Sequence, residues 1–157
     1  MNNKIKDFKP LKIVATPGHI KTLTEASATK ALSELIWNGF DASSKIVCVT
    51  LNSTSLGGLD TIIVEDQGEG IPFKDAKTYF GEIGDSWKKN KKGTYHHPLH
   101  GQNGRGRFKA FCLGADIEWN TTFVDQNSYS TYSIIGNHNQ IEEFKTSTLE
   151  SSNEGQK

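Results

Sequence analysis

Two β-rich runs, KIVCVTL at 45–51 and LDTIIVED at 59–66, are separated only by the turn-rich NSTSLGG. That spacing predicts two adjacent strands. Just upstream, Leu32, Leu35, Ile36 and Phe40 recur at helical spacing, with Thr24 or Ser27 as the cap and an end near Ala42. Ala31, Gly39 and Ala42 add small positions for close packing. Far downstream, DIEWNTTFV and SYSTYSIIG read as strands around the turn DQN, and EEFKTSTLE as one more. Between the two sets lie a short helical run (FKDAKTYFGEI), a long polar stretch and a second helical run, FKAFCLGA. Helix, hairpin, long loop, helix, antiparallel strands: this order predicts an α+β two-layer sandwich, with helices on one face of a mixed, mostly antiparallel sheet.

The ends are polar. Residues 1–10 read as a leader or an edge strand, Pro17-Gly18 marks a turn, and 145–157 reads as a frayed end. A chain of 157 residues suits a single domain. Lys plus Arg equal Asp plus Glu at 18 each, so no global charge draws the chain to nucleic acid or an anionic membrane. Cys48 and Cys112 both sit in apolar runs and read as small buried hydrophobes in a reduced compartment, not as a disulfide. No secretory pattern opens the chain and no apolar run approaches the roughly 20 residues of a membrane span. By exclusion the expected location is cytoplasmic.

Three short segments carry chemistry. In ELIWNGFDA, Glu34 and Asn38 stand four apart, and Asp41 three further on, so they form one polar stripe on the helix. A carboxylate can take a proton from water, and an amide oxygen can ligate a hard cation. In EDQGEGI, Asp66 ends a strand predicted to be buried, where it could accept from an exocyclic amine such as that of adenine. Gly68 and Gly70 follow it and can adopt positive φ at little cost. In HGQNGRGRFKAF, Gly101, Gly104 and Gly106 precede a helical run, a pattern suited to phosphate. Arg105 and Arg107 either add charge there or lie on the surface. The loop is neither a Walker A loop nor a dinucleotide fingerprint. Its place in line after the other two segments describes a site for a nucleotide and a divalent cation.

Together these segments resemble the motifs of the GHKL superfamily: gyrase-type topoisomerases, heat-shock chaperone ATPases, histidine kinases and mismatch-repair ATPases. The resemblance spans roughly residues 20–136. It implies the Bergerat-type sandwich, with ATP held between helices and sheet under a mobile lid at about 85–103. By motif, Glu34 matches the base that activates water, Asn38 the Mg²⁺-ligating amide, and Asp66 the adenine-reading carboxylate. Gly68 and Gly70 match the floor near the base, and Gly101, Gly104 and Gly106 the lid loop around the phosphates. The same resemblance puts Asp41, Ile71, Ser86, Lys88, Gln102, Asn103, Arg105 and Phe108 beside the nucleotide. An acid at Glu34 resembles the hydrolysing branches, whereas histidine kinases generally carry a non-acid there. The implied activity is therefore Mg²⁺-dependent hydrolysis of ATP to ADP, in the N-terminal module of a larger chaperone- or repair-like ATPase. The alternative is a non-hydrolytic nucleotide sensor or a kinase-type phosphoryl donor. Self-association or downstream domains are the implied partners, with nucleic acid reached only through missing domains.

Two departures stand out. The family strand bearing Gly-Thr near the phosphates has no clear equivalent before SSNEGQK, and hydrolysing members take a γ-phosphate lysine or arginine from a following domain. Weak turnover is expected of this stretch alone. HHPLH (His96, His97, His100) has metal-like spacing but straddles Pro98, and zinc needs a fourth, rigidly set ligand. The run Lys88, Lys89, Lys91 and Lys92 lacks interleaved aromatics and reads as solvated. Trp37 and Trp119 read as packing residues, and Trp87 as part of the lid.

Overall fold

The structure, a computed structural model, describes residues 9–12, 22, 24–81 and 106–152. After strand β1 (Lys9–Lys12) comes helix α1 (Ala28–Asp41). Ser27 is its cap: extended backbone (φ −72°, ψ 152°) aims the hydroxyl so that it accepts the Lys30 N–H at 3.3 Å. The helix ends where the Ala42 N–H donates back to the carbonyls of Asn38 and Gly39, and Ser43 turns the chain at φ 69°. Ser44 then ties the next elements together. Its hydroxyl donates to the Ile46 carbonyl at 2.6 Å and accepts the Gln67 N–H at 2.9 Å.

The predicted hairpin is present as β2 (Val47–Ser53) and β3 (Leu59–Asp66), a two-stranded antiparallel sheet of its own. A short 3-10 turn and α2 (Ala76–Gly81) follow, then α3 (Gly106–Lys109) continued by a 3-10 turn through Cys112. The larger sheet contains β4 (Asp116–Asp125), β5 (Ser128–Asn137), β6 (Glu143–Thr146) and β7 (Glu150–Ser152) with β1. Its order is β1-β6-β5-β4, with β7 also on β5. The α+β two-layer architecture is as expected. The strands, however, fall into two sheets, and among the described residues every pairing is antiparallel.

β4 and β5 pair from Asp116↔Asn137 to Asp125↔Ser128, closed by Gln126 and Asn127 at positive φ, the twist that a two-residue hairpin demands. Side chains alternate, so Trp119, Thr121 and Phe123 share a face with Tyr132, Ile134 and Gly136. Phe80 from α2, Phe108 from α3 and Phe111 from the turn after it pack there against Ile134, Phe123 and the fully buried Phe144. Each such buried side chain contributes about 1.5–3 kcal/mol, so this face is the core.

Several expectations change. The end from 145 onward is not frayed throughout, because β6 and β7 pair with β5 as far as Ser152. Residues 9–12 form an edge strand on β6, one of the two expected readings, and residues 1–8 lie outside the described residues. Cys48 is exposed, since nothing among the described residues covers its part of β2, while the Cys112 thiol donates to the Thr24 carbonyl. Both cysteines are free. Trp119 packs edge-on to Phe80 and Phe144, whereas Trp37 stays exposed against Phe40. No helix among the described residues is long and apolar enough to cross a membrane.

Candidate functional site

Small residues at the end of α1 bring the first two motifs together. A Cβ at Gly39 would lie 2.8 Å from Val47 Cγ2 and 2.9 Å from Asp66 Cβ. One at Gly68 would lie 2.5 Å from the Ala42 carbonyl oxygen. Without those side chains the helix end and the loop after β3 meet, and the Glu69 N–H donates to the Ala42 carbonyl at 2.9 Å. The two glycines of this loop do different work. Gly68 makes room. Gly70 holds φ +70° and passes so close to β4 that a Cβ would overlap the Thr122 carbonyl oxygen. The next N–H, of Ile71, donates to Thr121 Oγ1 at 2.8 Å. The loop is therefore fastened at one end to α1 and at the other to β4.

Asp66 departs from expectation. Its strand is exposed or half-buried along its length, and Asp66 itself is exposed. It escapes the desolvation that a buried carboxylate would suffer. Its Oδ1 accepts the Gly68 N–H at 2.8 Å, which fixes the side chain across the turn.

The third motif meets the first through Gly106. A Cβ there would fall 3.2 Å from Glu34 Oε2 and 3.5 Å from Asn38 Nδ2. Glu34 and Asn38, one helical turn apart, thus face the bare Cα of Gly106. The other Glu34 oxygen, Oε1, is ion-paired with Lys109 Nζ, the two side chains being only 22% and 17% exposed. Arg107, left open by the sequence, is half-buried. It stacks on the Phe108 ring at 4.6 Å, and burial pulls its guanidinium down to about 10, so it stays charged at neutral pH.

Asn38, Asp66, Gly68, Gly70, Ile71, Gly106 and Arg107 all line one cleft of about 1790 Å³ between β3 and β4. Glu34 adjoins it through Gly106. Two expected site residues do not reach it. Asp41 continues the polar stripe along the helix but is fully buried. Phe108 belongs to the core, packed on Phe144 at 5.9 Å. Ser86, Lys88, Gly101, Gln102, Asn103, Gly104 and Arg105 lie outside the described residues, as do the lid and the HHPLH histidines.

The cleft can offer a carboxylate beside an amide, an acid on its hairpin side and a close approach at Gly106. No cluster of three or more His, Cys, Asp or Glu suited to a metal occurs among the described residues. Magnesium needs none, since it takes one or two protein oxygens and completes its shell with water and phosphate. Asn38, which lines the cleft, offers one such oxygen: its Oδ1 lies 3.9 Å from where a Gly106 Cβ would stand. Sequence reasoning missed Lys109 and Thr121. Lys109 had a signal: a lysine inside the apolar FKAF run must find a counter-charge or water. Thr121 had none, being one threonine among many in strands.

A family model described as histidine kinase-, DNA gyrase B-, and HSP90-like ATPase matches residues 26–156, most of the chain. No match was found among curated proteins.

Proposed function

The chain belongs to the family of histidine kinase-, DNA gyrase B- and HSP90-like ATPases, and from that premise we propose that it binds ATP with Mg²⁺ and hydrolyses it to ADP and phosphate. One juxtaposition carries the reading: Glu34 and Asn38 face Gly106 at the same cleft that holds Asp66. Asp66 accepts from the exocyclic amine of adenine, and Gly68 and Gly70 let the base lie against the backbone. Asn38 would hold the magnesium ion, which when bound offsets phosphate charge. Glu34 takes a proton from the water whose oxygen attacks the γ-phosphorus, while the bond from that phosphorus to the bridging oxygen breaks and ADP leaves. Arg107 lies along the same cleft and adds positive charge for the phosphates.

The remaining assignments follow the motif resemblance. Ser86, Lys88 and Gly101 to Arg105 act on the phosphate side, residues 85–103 close over ATP as a lid, and closure favours self-association. The module serves a larger chaperone- or repair-like ATPase. Such switching requires that ATP contact the closed state better than the open one.

The test is Glu34→Ala. Turnover should fall by about 10²–10⁴-fold with ATP affinity by calorimetry nearly intact. Unchanged turnover would remove Glu34 from the role of base, whereas ATP binding without turnover in the wild type would favour a non-hydrolytic sensor. Asp66→Ala should abolish the preference for ATP over GTP, and an unaltered preference would remove Asp66 from its role. ATP at a hundredfold excess over its dissociation constant should stabilise the fold by about 2.7 kcal/mol.

A further inference from the structure

We infer that Lys109 is a positioning residue for Glu34: it holds one carboxylate oxygen so that the other stays aimed toward Gly106 and Asn38, where it takes the proton from water. The inference rests on the hydrolytic reading above and adds a residue to it. The two oxygens of Glu34 face different partners. Oε1 is bound by the Lys109 ammonium, and Oε2 points at the place where Gly106 lacks a side chain, beside Asn38. A free glutamate on a helix samples several rotamers, and only some aim an oxygen at a given point. A base held by a third group stays oriented, the arrangement that serves nucleophile activation in general.

Three further observations support the assignment. Both side chains are largely shielded, so the attraction between them is screened less than on an open surface. Lys109 sits on α3, one helical turn from Gly106 and next to Phe108, which is anchored in the core. The ammonium is therefore carried by a rigid element, and its reach to Glu34 is set by core packing. Finally, neither Lys109 nor Glu34 lines the cleft itself, whereas Gly106, packed beside Glu34 Oε2, does, so the ion pair sits behind Gly106.

The experiment compares wild type, Lys109→Met, Lys109→Arg and Glu34→Ala in the full chain. Steady-state ATP turnover with Mg²⁺, ATP affinity by calorimetry and thermal melting are measured on each. Lys109→Met should lower kcat on the order of tenfold or more while KM and affinity stay within about threefold, and Lys109→Arg should restore most of the loss. Three results overturn the inference: Lys109→Met with wild-type or higher kcat, Lys109→Met losing affinity in step with kcat, or a folded but inactive Lys109→Arg. Should Lys109→Met fail to fold, Lys109→Arg decides by the same criteria. An inactive wild type sinks the hydrolytic reading and this inference together. An active wild type, inactive Glu34→Ala and unaffected Lys109→Met sink the positioning role alone.

Discussion

The two sheets are built from similar β-rich sequence but occupy opposite conditions. The larger sheet lays Phe123, Tyr132, Ile134 and Phe144 against helices and is dry on that face. The hairpin β2-β3 leaves Val49, Leu51, Leu59 and Ile63 exposed, and packs closely on α1 at its base, where Val47 and Asp66 meet Gly39. β-propensity makes strands in both places; burial depends on what packs over them. The candidate site straddles this divide. Glu34, Gly106 and Lys109 are held against the buried side, while Asp66 rides on the hairpin and is fastened by the loop through Gly70. On the function proposed above, the residues for hydrolysis are held on the packed side and the one for adenine on the exposed hairpin.

Substitutions that test this contrast should span a wide range. Phe144→Ala in the core should cost about 3–5 kcal/mol in urea unfolding; a loss below about 1 kcal/mol would mean the larger sheet is no better packed than the hairpin. Gly70→Ala should cost about 3 kcal/mol and weaken ATP binding with it, because a positive φ and the Thr122 carbonyl both exclude a Cβ. Wild-type melting would show that the hairpin is not fastened there. Tyr132→Phe should be neutral or stabilising by up to about 1 kcal/mol, since the buried Tyr132 hydroxyl has no hydrogen-bond partner among the described residues.

The same hydroxyl carries a pH signature. Burial first, then the charges of Asp75 and Tyr79, push its ionisation upward. Raised above the ordinary value of about 10, it leaves stability whole below that pH and removes it as pH climbs further. Tyr132→Phe should abolish that alkaline loss in melting curves. Smallest of all, Leu51→Thr on the hairpin should change stability by no more than about 0.5 kcal/mol. A larger loss would reveal that the exposed face is covered in solution.

Much of the fold was legible because periodicity reports burial by one partner. LDTIIVED is a strand from its first residue to its last, and Ser27 caps the helix as its hydroxyl predicts. Errors came where a side chain's fate depended on distant chain. Asp66 and Cys48 end up exposed because their hairpin stands apart from the larger sheet, and Phe108 turns inward because Phe144, far along the chain, offers it a partner.

The order of elements, the glycines and the stripe of Glu34 and Asn38 were determined by sequence alone, since each follows from local backbone sterics and helical spacing. Only tertiary structure decided that Gly106 faces that stripe, that Asp41 is buried, and that Lys109 rather than solvent holds Glu34. Those outcomes depend on how α1, α3 and β3 are brought together, and contacts between segments so far apart are set by core packing, which no local pattern encodes.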